Sequence, residues 1–520
     1  MIDATPLLRL YAAQRLERLR RLDPVRAQER TLGRLLRRAA GTEFGRAHGF
    51  RSIHSVRDYQ AAVPLRRFDD FWRDWIEPAF PVVRNRIWPG TIPYYALSSG
   101  TSGARTKHIP VTRAMARSNR RATLDLLTHH LENRPESRVF GGKSLMLGGS
   151  TDLMRLAPGV EAGDLSGIAQ REVPWWARSR LFPPAEIALI PDWDRKVERL
   201  AEAALREDLR VIGGTPTWLL VLFERLLERA GGGERRLADL FPNLGMLVHG
   251  GVRFDPFRPG FERLLAGSRA ELREVYPASE GFVAVADRLP GQGMRMLLDN
   301  GIFFEFVPIG EVDSPNPTRH WIGNAEPGQD YALILTTNAG LWSYVLGDTV
   351  RLVDRAPPRL LVTGRTSYFL NAFGEHLTGE QIEEGVLAAA AAVGIEVGEF
   401  MFGPLFPREG RAPAHWLAAE AAGPADAARF AASLDAALRH SNANFGDDRQ
   451  YGRLAPPSIT FLPPGAFAAW MRRRGKLGGQ NKVPRIVQDD RPLEELLVWH
   501  QKHSSMPFSP GSHAASQEEE

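Results

Sequence analysis

Apolar positions recur along this chain at two spacings, and the change from one to the other sets its organisation. Before residue 80, leucines and alanines fall three or four positions apart among many arginines. That spacing predicts amphipathic helices over 7–21, 32–40, 56–61 and 68–77. A membrane-surface helix would carry the same N-terminal stripe, but the second helix and the loop behind it favour packing on a larger body. Residues 42–49 read as a turn-rich connector, and Val63-Pro64-Leu65 separates the later helices. From 113 onward, helices predicted over 113–130, 193–206, 218–230 and 261–265 alternate with short apolar strands over 144–149, 209–214, 244–251 and 272–276. The strands end in glycine or small polar residues. This rhythm implies a sheet with helices on its faces and ligands over the carboxyl ends of its strands.

After residue 282 the spacing shortens. Strands over 282–286, 302–308, 331–337, 349–354 and 360–363 suggest a more antiparallel sheet or barrel attached to the first layer. Beyond Gly364-Arg365 the order is helix 377–393, strands 395–402 and 414–419, helix 424–440 and strand 458–462. That order predicts a compact α+β module with its helices on one side. The last ordered feature is expected at 493–500. Residues 504–520 are rich in Ser, His and Glu and read as a disordered tail. The expected division is therefore 1–365, 366–500 and a tail over 501–520, in an α/β fold whose large domain of mixed sheets includes a β-rich subdomain.

Composition narrows the function. A chain of 520 residues needs more than one core. Its 66 basic and 61 acidic residues leave a net charge of only +5, and the charges are interspersed, so no nucleic-acid partner is expected. With no cysteine, disulfides, thiolate metal sites and an enzyme-bound thioester are excluded. No apolar run reaches the length of a membrane span, and the N-terminus lacks a signal-peptide core. These features fit a cytoplasmic protein without a membrane partner.

The richest stretch is 98–107, Ser-Ser-Gly-Thr-Ser-Gly-Ala-Arg-Thr-Lys, between the apolar approach 92–97 and the helix expected from 113. Small residues there let backbone N–H groups face one concavity that suits an anion. Ser98, Ser99, Thr101 and Ser102 add hydroxyls, and Lys107 adds a point charge. The glycine spacing is not that of a Walker loop. A polar surface turn would share this composition. Three further stretches follow in order: Tyr276-Pro277-Ala278-Ser279-Glu280, Tyr344-Val345-Leu346-Gly347-Asp348, and Gln480-Asn481-Lys482-Val483-Pro484-Arg485.

In that order the four stretches, with Thr-Glu-Phe-Gly-Arg at 42–46, resemble acyl acid amido synthetases of the Gretchen Hagen 3 auxin-responsive family. That family lies in the adenylate-forming superfamily with acyl-CoA synthetases and luciferases. The resemblance runs to about residue 495. It implies a luciferase-like fold with a small, mobile C-terminal domain. It also implies ATP and Mg²⁺ as cofactors, and a carboxylic acid plus an amino acid or other amine as small-molecule partners. By the same resemblance Ser98, Ser99, Gly100, Thr101 and Lys107 hold phosphate, Tyr276 stacks on adenine beside Ser279, and Glu280 takes Mg²⁺. Asp348 binds the ribose hydroxyls, Arg365 sits at the domain hinge within reach of ribose or phosphate, and Lys482 is the catalytic lysine of the mobile domain.

The chain departs from the family text at four places. Gly103-Ala104 replaces Ala-Gly; Trp342-Ser343-Tyr344-Val345 lacks two arginines; His376 replaces a lysine; Asn481 replaces an aromatic residue. The loops at 213–218 and 249–251 are expected to line the acyl or adenosine side, with core packing as the alternative for Trp218. His249 has no partners at metal-ligand spacing, so no zinc site is expected. No Gly-x-Ser-x-Gly elbow supports Ser98 or Ser279 as a hydrolase nucleophile. A CoA ligase, an acyltransferase serving a carrier or a natural-product amine, and a non-catalytic nucleotide-binding scaffold remain as rival readings.

Overall fold

The first helix, α1 (Thr5–Arg20), buries Leu8, Ala12, Arg15 and Leu19 on one face, the spacing its leucines predict. In this computed structural model, residues 2–98, 106–148, 152–190, 192–232, 236–251, 254, 257–288, 291–366, 369–370, 372–373, 375, 377–406, 412–423, 425–475 and 483–503 are described. The next helix, α2 (Pro24–Ala39), opens with Asp23 accepting the Arg26 N–H at 2.8 Å and Pro24 in its first turn. Residues 42–49 are more than a connector. Thr42 accepts the Gly45 N–H at 3.0 Å and caps a short helix, α3 (Glu43–Ala47). A Cβ on Gly45 would sit 2.2 Å from the Ala39 carbonyl oxygen, so only glycine permits this close turn. Helix α4 (Val56–Ala62) begins with a capping box between Ser55 and Asp58. Helix α5 (Phe68–Phe71) continues into a π turn over Trp72–Ile76. Helix α6 (Arg113–Asn133) is capped by Thr112 and packs against α1 through Ala122, Leu126 and Leu127.

The α1–α6 interface carries one buried charge cluster. Arg15 meets Asp125 at 2.8 Å and Asp299 at 2.7 Å. Arg15→Ala would leave two carboxylates without their cation, Asp125 fully buried. A loss of about 3–5 kcal/mol in stability is expected, measured by urea denaturation. A change below about 1 kcal/mol would show that water reaches the pair.

The strands are β1 (Tyr94–Ser98), β2 (Lys107–Val111), β3 (Lys143–Leu147), β4 (Leu153–Ala157), β5 (Val160–Gly163), β6 (Leu181–Phe182), β7 (Leu209–Gly214) and β8 (Met246–Gly250). There follow β9 (Glu271–Ala278), β10 (Gly281–Val285), β11 (Met294–Met296), β12 (Ile302–Pro308), β13 (His320–Trp321), β14 (Asp330–Thr337), β15 (Tyr344–Arg355) and β16 (Pro358–Arg365). One small sheet has the order β2-β1-β5-β4. The main sheet has twelve strands in the order β13-β12-β14-β15-β16-β11-β10-β9-β8-β7-β3-β6. Its β6, β3, β7, β8 and β9 run parallel. At β9 the direction switches, because the tight Ala278–Gly281 turn returns β10 antiparallel along its free edge. The expected attached antiparallel sheet or barrel is therefore the same sheet continued. The half-exposed β4 was not foreseen, since Met154 and Arg155 face solvent and break its apolar run.

The chain forms two compact units, one mainly of residues 1–254 and 258–363, the other mainly of residues from 364 onward. In the smaller unit, Val397–Leu405 pairs antiparallel with Ala414–Ala421, which pairs parallel with Ser458–Leu462. Helices cover both faces of this sheet, not one. Phe400, Phe402, Leu417 and Ala419 pack with Ile382, Phe430 and Leu434. The alternate residues Met401 and Ala418 pack with Phe467, Trp470, Leu493 and Leu496. The period of two sends an apolar side chain to each face, so a second helical layer is required. Helix Ala466–Arg473, missed in the sequence, supplies part of it. No helix among the described residues is long and apolar enough to cross a membrane.

Candidate active site

Strands β1 and β2 form the two arms of a hairpin, with Ser98 directly opposite Lys107. Ser99, Gly100 and Thr101 lie outside the described residues, as do Gln480, Asn481, Lys482 and His376. Lys107 is half-buried, and its ammonium lies 5.2 Å from the ring centroid of Phe68 on α5. An aromatic face holds a cation in place without neutralising it. On leaving the hairpin, Thr112 Oγ1 donates to the Asn338 carbonyl at 2.7 Å while capping α6. The base of the hairpin is thereby fixed to the main sheet.

The second and third motifs interlock. Tyr276, near the end of β9, is buried and donates its hydroxyl to Asp348 Oδ2 at 2.5 Å. Tyr344, at the start of β15, donates its hydroxyl to Glu280 Oε1 at 3.2 Å. Each motif's tyrosine therefore holds the other motif's carboxylate. Asp348 was expected just ahead of a strand, yet β15 begins at Tyr344 and contains it. The register shifts between Val345 and Thr349, whose partners on β14 are Ile334 and Ala332, respectively. Gly347, at φ +92°, lies within this bulge. Bulges beside sites re-aim side chains, and here the bulge carries the Asp348 carboxylate.

Tyr344 is placed by an early segment of the chain. The Arg66 N–H donates to the Ser343 carbonyl at 3.1 Å, and the Val345 N–H donates to the Arg66 carbonyl at 2.9 Å. Ser343 itself is buried at φ +44°, a conformation rare for a side-chain-bearing residue. Its hydroxyl accepts from the Arg319 guanidinium at 2.7 Å. Arg319 is in turn bound through two nitrogens to the fully buried Glu305, at 2.9 and 3.0 Å. Ser343, which stands where the family text has an arginine, thus meets a guanidinium that comes from outside the motif.

Glu280 is the electrostatic focus. Burial pushes its carboxyl up from 4.5 to about 6, and the Asp348 charge adds to the rise. Lys107 and the Tyr344 hydroxyl act in the opposite direction. Three motif residues from separate segments, Lys107, Glu280 and Asp348, therefore share one field. Among the described residues no group of three or more His, Cys, Asp or Glu could cage a metal. Mg²⁺ does not require such a cage, because it binds through one or two carboxylates plus substrate phosphates and water. A buried carboxylate whose charge is opposed by its surroundings fits that use.

The other expected site residues are more dispersed. Ser279 is half-buried in the turn between β9 and β10, next to Glu280. Arg365 ends β16 and belongs to the smaller unit, whose boundary falls at 363/364. In the loops at 213–218 and 249–251, Trp218 and His249 are buried, while Gly214, Thr215, Thr217 and Gly250 are half-buried. Trp218 is 3% exposed on the buried face of helix Pro216–Arg229. His249 stacks on Phe254 at 3.7 Å, and a Cβ on Gly250 would meet the Val275 carbonyl oxygen at 2.3 Å.

Three family models match the chain: the GH3 family N-terminal domain over residues 12–194, its central domain over 295–365 and its C-terminal domain over 380–491. The chain belongs to the GH3 family. Its similarity to curated GH3 relatives is distant. A jasmonoyl–L-amino acid synthetase (JAR4) of Nicotiana attenuata is 22% identical over 432 residues, covering 71% of this chain and 74% of that protein. A probable indole-3-acetic acid-amido synthetase (GH3.9) of Oryza sativa subsp. japonica is 28% identical over 238 residues, covering 41% and 53%. Among solved structures, the GH3.15 acyl acid amido synthetase in complex with 2,4-DB superposes with a TM-score of 0.79 at 18% identity, covering 94% of this chain and 95% of that one. A 2-hydroxyisobutyryl-CoA ligase in the postadenylation state gives 0.60 at 15% identity, covering 94% of each. The GH3 chain described here therefore has the adenylate-forming fold.

Proposed function

We propose that this GH3 protein is an acyl acid amido synthetase that joins a carboxylic acid to the amine of an amino acid at the expense of ATP. The observation that carries the reading is the interlock of Tyr276 with Asp348 and of Tyr344 with Glu280, in the field of Lys107. A carboxylate oxygen of the acid attacks the α-phosphorus of ATP, and the bond to pyrophosphate breaks. The amine nitrogen then attacks the acyl carbon, AMP leaves with the bonding electron pair, and the amine loses a proton. Neither step needs a covalent bond to the protein, so catalysis rests on positioning and on neutralising phosphate charge.

In this reading Ser98, Ser99, Gly100 and Thr101 cradle the phosphates with backbone and hydroxyl donors, and Lys107 adds its charge from the loop end of the hairpin. Asp348, oriented by Tyr276, accepts the ribose hydroxyls. Tyr276 and Ser279 flank the adenine, and Arg365 reaches ribose or phosphate from the hinge. Lys482 bridges the acid's carboxylate and the α-phosphate when the smaller unit turns toward the site. Glu280 would hold Mg²⁺, which supplies further neutralisation of the phosphate oxygens. In this reading the reaction takes place in the cytoplasm, and the absence of cysteine agrees with that compartment.

The test is pyrophosphate release with MgATP across aryl, indole and aliphatic acids, each with pooled amino acids, with CoA, or with neither. An amide product establishes the ligase and begins to name its substrates. A thioester formed only with CoA favours the second reading, to which the likeness to the 2-hydroxyisobutyryl-CoA ligase fold lends support. ATP binding with no pyrophosphate release under any condition would sink both.

Tyr344→Phe tests the interlock directly. Its buried hydroxyl orients Glu280, so about a tenfold rise in the Mg²⁺ concentration for half-maximal rate is expected. The rate at saturating Mg²⁺ should fall much less. Equal losses at low and high Mg²⁺ would remove Glu280 from the metal role.

A further inference from the structure

On the larger unit, outside the motif stretches, Leu22, Ala27, Arg30, Arg34, Arg37, Arg121 and Asp299 line a cleft of about 470 Å³. We propose that this cleft is a second anion site that binds a polyphosphate chain. Arg30, Arg34 and Arg37 follow at helical spacing along one exposed face of α2. Among the described residues none of the three enters an ion pair, and Arg34 Nε donates only to the Arg30 carbonyl, at 3.2 Å. Like charges one helical turn apart repel, so this row is disfavoured unless something anionic lies across it.

The one carboxylate in the lining is already used. Asp299 takes two nitrogens of Arg15, at 2.7 and 2.9 Å. Arg121, the fourth cation, is held in place by Asn300 Oδ1 at 2.9 Å and by the Asp299 carbonyl. The cleft therefore keeps a net positive lining.

The far face of α2 makes the arginine row rigid. Gln28 Nε2 donates to the carbonyls of Leu298 and Ile302 at 2.8 and 2.9 Å, and its Oε1 accepts the Phe304 N–H at 2.8 Å. Thr31 Oγ1 donates to the Leu298 carbonyl at 3.1 Å. The helix cannot roll without breaking these bonds, so the guanidiniums are presented over one fixed backbone. Guanidinium forks match phosphate oxygens in pairs, and a row of three with a fourth from α6 in the same lining suits several linked phosphates better than one carboxylate. The volume falls in the range of small-molecule sites, and Leu22 and Ala27 give it an apolar floor.

The experiment is calorimetric titration of the full chain with inorganic tripolyphosphate, and separately with ATP, at fixed ionic strength without Mg²⁺. Lys107→Ala serves as the background that weakens the proposed catalytic phosphate site. In that background tripolyphosphate is expected to bind still, and adding Arg30→Gln with Arg34→Gln should weaken it at least tenfold. Arg30→Lys with Arg34→Lys should recover part of the loss, since charge returns without the fork. These side chains are exposed and repel one another, so the unliganded melting temperature of the glutamine variant should not fall. ATP binding more tightly than tripolyphosphate at this site would assign a nucleotide; equal binding would assign the phosphate chain alone. No binding in the Lys107→Ala background, a change of less than threefold in the glutamine variant, or equal competition by sulfate overturns the site. None of these outcomes depends on whether an amide is made.

Discussion

Glu280→Gln is expected to cut pyrophosphate release by about 10²–10³-fold while making the metal-free protein more stable at pH 8. Both effects have one cause. Burial has raised this carboxyl from 4.5 to about 6. Above pH 6 the folded protein therefore carries an ionised group that its surroundings oppose, at a cost of about 2 kcal/mol. The sign follows from proton binding. Between pH 4.5 and 6 the folded state holds a proton that the unfolded state has released, so stability falls as pH rises through that window. Below pH 4.5 both states are protonated and the cost vanishes. Glutamine keeps a carbonyl to accept the Tyr344 hydroxyl but carries no charge. The variant should gain nothing at pH 4 and the full increment at pH 8, read by denaturant unfolding at both. A variant equally active, or less stable at pH 8, would contradict the assignment of Glu280 as the cation-accepting group.

How much of this was legible beforehand depended on where the information lay. Helices such as Arg113–Asn133 and strands such as Ile302–Pro308 declared themselves, because one face or one whole strand is apolar over many residues. The motifs also named Lys107, Glu280 and Asp348. Their mutual arrangement was not legible. Nothing in Tyr344 alone says that its hydroxyl ends on Glu280, since that depends on Arg66 pairing across Ser343 and Val345, about 280 residues away in sequence. Nor could composition show that Ser343 meets the Arg319 guanidinium, because Arg319 enters from outside any motif. The missing motif arginines look like lost charge, and the fold brings the Arg319 guanidinium, paired with the buried Glu305, against Ser343 at one of those positions in the chain. The helix layer over the second face of the C-terminal sheet escaped notice for a related reason. On that face the strands carry Glu399, Gly403, Ala418 and Glu420 beside Met401, so it reads as less apolar in sequence than it packs.

Lys482→Ala should abolish most ATP–pyrophosphate exchange, by about 10³-fold, yet leave amide formation from a preformed acyl adenylate within a few-fold of the parent. In the proposed reaction negative charge converges only in the first step, where the acid's carboxylate meets the α-phosphate. A lysine delivered by the smaller unit matters there and not in the attack of a neutral amine on an activated carbonyl. The segment that follows Lys482 is built to hold a position. The Phe402 N–H donates to the Arg485 carbonyl at 2.7 Å, and the Val487 N–H donates to the Phe402 carbonyl at 3.0 Å. Val483 and Val487 enter the apolar layer over the second face of the sheet. The buried Arg485 guanidinium meets Glu383 at 3.2 Å and Glu399 at 3.4 Å. In the proposed reaction this anchor would let the smaller unit carry the segment as one body, as lid-type catalysis requires. Arg485→Ala therefore provides the contrast. It removes the anchor but leaves the lysine, and it should depress exchange less than Lys482→Ala while lowering the stability of the smaller unit. If Lys482→Ala depresses exchange and adenylate capture equally, the lysine serves general binding, and two alternating arrangements of the smaller unit are not needed to explain the reaction.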